Sequence, residues 1–245
     1  MLIGLGTLIN VFAIFFGSAV GVFAGSRLNS KTRDLITDIL GLITILAAAG
    51  AVIPMFTTEY SQSLPQGWTL LSILASLLIG GIIGSLLKIE LRLESLGENL
   101  RKKFGAQQEG TFVEGFVSSS LLFVIGPLAI LGSISDGMGT GIDQLSLKST
   151  LDFFAAIAFA ASLGWGVAAS AIPVGIYQGL WTLIGFALGS ILLQYQIDAM
   201  TIVGGLMLLS IGLRLLRIRE IAVGNLLPAL AIAPLFVYGL STFFA

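Results

Sequence analysis

Long apolar runs separated by short polar breaks dominate the chain. Each run can cross about 30 Å of hydrocarbon at a rise of about 1.5 Å per residue, which is the length of a transmembrane helix. The first run has no Lys or Arg before Arg27, so it lacks the basic start of a signal peptide, and we expect a retained helix. The predicted spans cover residues 3–25, 35–56, 69–87, 113–134, 149–172, 174–193, 199–216 and 224–244.

The fifth and sixth spans form one continuous apolar stretch. We divide it at Ile172–Pro173 because proline breaks a helix and disfavours helical backbone in the residue before it. Without that division the chain has seven spans. The pattern therefore predicts an all-α fold, a polytopic transmembrane bundle of about eight helices forming a single transmembrane domain over residues 1–245.

The basic residues mark one side of the predicted bundle. With eight spans, all of the 12 Lys and Arg residues except Lys148 fall in or beside the connections 1–2, 3–4 and 7–8. Cytoplasmic loops carry an excess of Lys and Arg. We therefore expect these three connections in the cytoplasm and both termini outside it.

Residues 88–104, between the third and fourth spans, show a different pattern. Apolar residues recur there at spacings of three and four, with acidic and basic residues on the other faces, which predicts an amphipathic cytoplasmic helix. Two interpretations stay open: a solvated linker helix, or a regulatory or docking surface. The apolar positions are Ile89, Leu93, Leu96, Leu100 and Phe104.

Small residues recur at four-residue spacing within the spans. Gly17, Gly21 and Gly25 form one such series on the first span. Small residues let helix backbones approach closely in lipid, where no hydrophobic effect drives helices together. The series suits an internal helix contact or a homo-oligomer.

Two short segments resemble each other. Residues 78–80 with Gly84 and Ser85 match residues 183–185 with Gly189 and Ser190 at identical spacing. In the predicted topology spans 1–3 and 6–8 would then be inverted repeats, an arrangement common in secondary transporters.

Composition removes several classes of function. Hydrophobic residues make up 56% of the chain and charged residues 10%, whereas soluble domains carry about 25% charged residues. The net charge of −1 gives no indication of a nucleic-acid partner. Cysteine and histidine are absent, which excludes disulfides, thiolate nucleophiles, histidine-ligated metals and imidazole catalysis. We predict no cofactor, no metal site and no enzymatic activity.

Candidate chemistry concentrates in the middle of the chain. Asp152 falls within a span, where a carboxylate costs about 2.5–3.5 kcal/mol on insertion scales and is usually paired or functional. Lys148 lies four residues earlier and is its predicted partner, and a purely structural ion pair is an equal alternative. Prolines 127, 173 and 228 suggest broken helices that free backbone groups for a ligand. Further polar candidates are Asn10, Ser119, Gln178 and Asn225.

A set of short motifs spread along the chain forms a recognisable pattern. The motifs are Gly6-Thr7, Asn10, Leu122-Phe123, Gly126, Ala129-Ile130, Gly132-Ser133-Ile134, Asp136-Gly137, Lys148-Ser149, Asp152, Gly164, Gly166-Val167, Ser170-Ala171-Ile172-Pro173, Gln178-Gly179 and the run from Asn225 to Leu230. Together they resemble one bacterial family, the integral membrane proteins of domain of unknown function 554. The resemblance extends over nearly the whole chain and implies a bacterial inner-membrane protein proposed to be a transporter, without an assigned substrate. It supplies no catalytic or binding residues.

Two functional hypotheses from different classes follow. The first is a transporter of a small solute or ion, embedded in membrane lipids, in which Asp152 contacts the solute or coupling ion. Lys148, Asn10, Ser119, Gln178 and Asn225 would be supporting contacts. The alternative is a non-transporting scaffold or helper subunit of a larger complex, working through the helix at residues 88–104.

Overall fold

The computed structural model describes residues 2–103, 111–125, 127–188 and 192–243, and these residues form helices without any strand. The α-helices within the described ranges are α1 (Leu5–Gly25), α2 (Ser30–Ala51), α3 (Thr58–Gln62), α4 (Trp68–Leu86), α5 (Ile89–Lys103), α6 (Phe112–Val124), α7 (Pro127–Gly137), α8 (Asp143–Leu163), α9 (Gly166–Ala169), α10 (Ala171–Leu188), α11 (Gln194–Leu215) and α12 (Leu227–Phe243). Short 3-10 turns at Ile53–Phe56 and Val223–Leu226 precede α3 and α12.

The spans confirm the predicted class, an all-α polytopic bundle. Among the described residues, 7 helices are long and apolar enough to cross a membrane. The number rises to 8 if residues 112–124 and 128–137, whose axes are bent by 63°, count as one broken span. Whether the chain has seven or eight spans therefore depends on whether α6 and α7 together form one span. The sequence pattern had instead made this number depend on the fifth and sixth predicted spans, which the structure separates into Asp143–Leu163 and Gly166–Ala187.

The predicted break at Ile172–Pro173 is wrong. Pro173 lies in the first turn of α10, where backbone N–H groups have no intrahelical partner and a missing one costs little. The break lies at Gly164, whose φ of 77° falls in the left-handed region that glycine adopts readily. A glycine in that conformation, rather than the proline, separates the two spans.

One compact unit comprises Met1–Gly41 and Leu93–Ile191. Its α1 packs against α8 through the predicted glycine series, and a Cβ atom at these glycines would lie 2.3–2.5 Å from carbonyl oxygens of α8. Such a distance leaves no room for a side chain, so the series serves an internal helix contact. The contacts join Gly17 to Phe153, Gly21 to Ile157 and Gly25 to Ala161.

The other compact unit comprises Leu42–Arg92 and Leu192–Ala245. Here α4 packs against α12 through Gly80, which faces Ala229, and the 3-10 turn before α12 meets Gly84 at the backbone of Asn225. Gly205 on α11 meets Ala48 on α2. The single domain predicted over residues 1–245 stays a prediction.

A helix lies where the amphipathic segment was predicted, since α5 covers Ile89–Lys103. The buried face of α5 differs in part from the predicted apolar stripe. Leu96 is 38% exposed, whereas Gly97 is buried against Phe116 and Glu90 is buried as well. Phe104 lies outside the described residues, and the cytoplasmic location of α5 stays a prediction.

Candidate functional site

A buried ion pair lies in the middle of α8. Asp152 is the tenth of the 21 residues of this helix, deeper than the sequence-based start at residue 149 implied. Lys148 precedes it by one turn, and the two side chains face the same direction, so that Lys148 Nζ contacts Asp152 Oδ2. Their side chains are only 8% and 10% exposed. Each charge is thus compensated within the helix that carries it.

Two amide side chains from other helices join this pair. Asn10 on α1 donates from Nδ2 to Asp152 Oδ2 at 3.0 Å and to Gln178 Oε1 on α10 at 3.3 Å. Asn10 and Gln178 are both 0% exposed. Three helices therefore contribute to one polar cluster, Asn10–Lys148–Asp152–Gln178, which we call the central cluster.

The central cluster is not fully satisfied by its own members. Asn10 Oδ1, an acceptor, and Gln178 Nε2, a donor, have no hydrogen-bond partner within the described part of the chain, although both atoms are buried. Buried polar groups are normally hydrogen-bonded, and leaving one unpaired costs about 1–3 kcal/mol. The pattern of one free acceptor and one free donor suits a polar ligand or ordered water.

An aromatic ring covers one side of the ion pair. Lys148 Nζ lies 5.9 Å from the centroid of the Phe123 ring on α6, within cation–π range. Phe123 is itself buried at 2% exposure. The lysine head therefore has two favourable neighbours, the Asp152 carboxylate and this ring.

The position of α1 relative to its neighbours is set near its first turn. Asp136 on α7 accepts hydrogen bonds from the backbone N–H groups of Gly4 at 3.2 Å and Gly6 at 3.0 Å, where the helix dipole favours a carboxylate. Thr7 Oγ1 lies 3.3 Å from Thr182 Oγ1 on α10. These contacts hold Asn10, which is one turn beyond Thr7, beside Gln178.

Two of the predicted site residues do not take part in the central cluster. Ser119 is buried on α6, but its hydroxyl donates to the Gly115 carbonyl of its own helix. Asn225 belongs to the other compact unit, where its Oδ1 accepts the Glu90 backbone N–H at 3.0 Å. The sequence identified both as polar groups at membrane depth, which does not distinguish a shared site from separate contacts.

Glu90 forms a second buried cluster, which the sequence-based candidates missed. Its Oε1 accepts from Arg214 Nη1 at 2.6 Å, and its Oε2 accepts the Gly224 backbone N–H at 2.6 Å. Both carboxylate oxygens are thus paired, unlike the amides of the central cluster. We interpret this arrangement as a clasp joining α5, α11 and the turn before α12. A signal in the sequence was an acidic residue placed between two basic ones, Lys88 and Arg92, at the start of an amphipathic helix.

No group of three or more His, Cys, Asp or Glu side chains lies together among the described residues. The central cluster contributes a single carboxylate, together with an ammonium group that would repel a metal ion. Its donors and acceptors suit a small polar molecule.

Comparison with known proteins agrees with the architecture. The family model described as "Protein of unknown function (DUF554)" matches residues 5–238. The chain is 29% identical over 238 residues to the uncharacterized membrane protein YdfK of Bacillus subtilis, covering 97% of each chain. It is 30% identical over 236 residues to the uncharacterized protein YqgA of Escherichia coli, covering 94% of each. No solved structure matches the chain.

Proposed function

The chain belongs to the DUF554 family of membrane proteins, and we propose that it transports a small solute or ion through the bilayer. The observation that carries the proposal is the central cluster, in which buried charges and amides from three helices meet, with one acceptor and one donor left unpaired by the described part of the chain. No enzymatic step is part of the proposal.

The energetic cost of burying the charged and unpaired groups of the central cluster supports a functional role for it. Ionisable residues within membrane spans are rare and mark substrate or ion pathways when they occur. Both carboxylate oxygens of Glu90 in the clasp are paired, as expected of a structural contact. In the central cluster, by contrast, Asn10 Oδ1 and Gln178 Nε2 have no partner among the residues that the structure describes. A purely structural cluster would gain stability by pairing them or by replacing them with apolar groups.

A bent pair of helices in the same unit supports transport as well. The bend of 63° between α6 and α7 lies in the unit that contains the cluster, and Phe123 beside Lys148 is on α6 close to that bend. Discontinuous helices free backbone groups and supply hinges near the midplane in many transporters. The inverted repeat of spans 1–3 and 6–8 is part of the same proposal.

A ligand screen tests transport directly. Purified full-length protein is screened by thermal unfolding against alkali cations, amino acids and small carboxylates, and any ligand found is then assayed for uptake into proteoliposomes. A ligand at 100 times its dissociation constant should stabilise the protein by about 2.7 kcal/mol. We expect stabilisation and uptake to disappear in Asp152→Asn.

Two further variants serve in this test, one as a control and one as a replacement for the single variant. Glu114→Gln neutralises another carboxylate of the same unit, half-buried in the first turn of α6 and outside the central cluster, and should retain uptake. The double variant Lys148→Met/Asp152→Asn removes both charges together and replaces the single variant if that one does not fold. Uptake that persists in the double variant would contradict the proposed site. If no ligand in the screen stabilises the protein, that result would instead favour the scaffold or helper role.

We also propose that the protein lies in a bacterial inner membrane with both termini outside the cytoplasm, on the basis of the basic connections. The chain contains no cysteine, so single cysteines can be introduced without a background. In intact cells a membrane-impermeant maleimide should label Gln62→Cys, which is exposed before α4, but not Lys102→Cys, which is exposed on α5. Labelling in the reverse pattern would overturn this orientation, and permeabilised cells provide the control in which both are labelled.

A further inference from the structure

We infer that the transported solute is a zwitterion, a small molecule that carries one ammonium and one carboxylate group. This inference rests on the proposed transport function and names the substrate class of the same site. It follows from two properties of the central cluster: its balance of charge and the chemistry of its two unpaired atoms.

The charge balance of the central cluster restricts which ligands can bind there. The cluster contains one ammonium, on Lys148, and one carboxylate, on Asp152, and their side chains are at most 10% exposed. A lone cation or anion entering this environment would leave an uncompensated charge away from water, which is strongly unfavourable. A zwitterion adds one charge of each sign and leaves the site neutral.

The unpaired atoms match the two ends of such a molecule. Asn10 Oδ1 can accept a hydrogen bond from an ammonium group, and Gln178 Nε2 can donate one to a carboxylate. An alkali cation would make no use of the Gln178 donor, and an inorganic anion would make no use of the Asn10 acceptor. A zwitterion uses both.

The ion pair completes the arrangement. The ligand ammonium is the chemical counterpart of Lys148 Nζ and can take its place at Asp152 Oδ2, while Lys148 turns to the ligand carboxylate. One internal ion pair is thereby exchanged for two pairs between protein and ligand, without any change in net charge. Lys148 Nζ therefore lies at the position beside Asp152 that the ligand ammonium would take.

A matched set of two-carbon or smaller probes tests the inference. Glycine carries both charges, acetate and methylammonium carry one each, and acetamide carries none. Each is titrated against full-length protein in detergent, followed by thermal unfolding, beside sodium and potassium chloride. Pools of the 20 common amino acids extend the panel to larger zwitterions. We expect stabilisation by at least one zwitterion and none by acetate, methylammonium or acetamide.

Variants connect the binding to the cluster. Gln178→Met removes the free donor together with the Oε1 that accepts from Asn10, and should weaken binding of the zwitterion by about tenfold or more; thermal unfolding without ligand, measured beside it, separates this loss from a loss of the fold. The double variant Lys148→Met/Asp152→Asn should weaken it more strongly. Glu114→Gln, which neutralises the half-buried carboxylate in the first turn of α6, should bind as wild type does.

The outcomes separate this inference from transport itself. Binding of a lone cation or anion that is lost in the double variant would overturn the zwitterion inference and leave transport standing. Zwitterion binding unaffected by Gln178→Met and by the double variant would overturn the inferred site. No cluster-dependent binding by any probe would count against both proposals.

Discussion

Lys148→Met is expected to destabilise the protein by about 3–5 kcal/mol, the usual cost of removing one partner of a buried ion pair. The methionine keeps a similar volume but leaves the Asp152 carboxylate buried with only the Asn10 amide as a hydrogen-bond donor in the described structure. Loss of the contact between Lys148 and the Phe123 ring adds to the effect. Equilibrium unfolding of the purified protein in detergent measures the change.

The stability of the double variant, compared with that of Lys148→Met, tests this prediction. In Lys148→Met/Asp152→Asn both charges are absent, and the introduced amide oxygen would still accept from Asn10, so we expect stability within about 1 kcal/mol of wild type. The coupling energy from the double-mutant cycle should then be several kcal/mol. Lys102→Met, which removes an exposed lysine, should change stability by less than about 0.5 kcal/mol. A loss in the double variant equal to the sum of the losses in Lys148→Met and Asp152→Asn would show that the pair is not energetically coupled.

Gly84→Ala is the second substitution with a large expected effect. A Cβ atom at this position would lie 1.9 Å from the carbonyl oxygen of Asn225 and 2.6 Å from its carbonyl carbon. These are backbone atoms, so relief requires α4 and the turn before α12 to separate. Overpacking typically costs about 1–3 kcal/mol, and we expect the upper end of that range or more. Detergent unfolding and the yield of folded protein measure it.

Gly239→Ala is the matched control for this substitution. Gly239 lies on α12 in the same unit, and a Cβ atom there would meet nothing within 4 Å. The substitution should be neutral or should stabilise the helix by up to about 1 kcal/mol, because alanine loses less backbone entropy than glycine. If Gly84→Ala proved as stable as Gly239→Ala, the close packing of Gly84 on Asn225 would be wrong.

The central cluster divides cleanly into local and long-range parts. The pairing of Lys148 with Asp152 was predictable, since residues four apart lie on one face of a helix. The connections of Asn10 to Asp152 and to Gln178 span 142 and 168 residues of sequence. Periodicity identifies these residues as polar at membrane depth, but it does not set how one helix is rotated toward another. For the same reason Ser119 and Asn225 were reasonable candidates that the structure places in other contacts.

The sequence by itself determined the class of the protein, a helical membrane bundle. Apolar runs of spanning length leave no alternative in lipid, because every backbone polar group must be paired within its own segment. Only the tertiary structure decided where the helices break and which polar groups meet. The break lies at Gly164 rather than Pro173 because a first-turn proline costs a helix little, whereas the left-handed glycine ends it. The polar groups meet because close glycine contacts fix α1 against α8, and that packing is a property of paired surfaces rather than of any single segment.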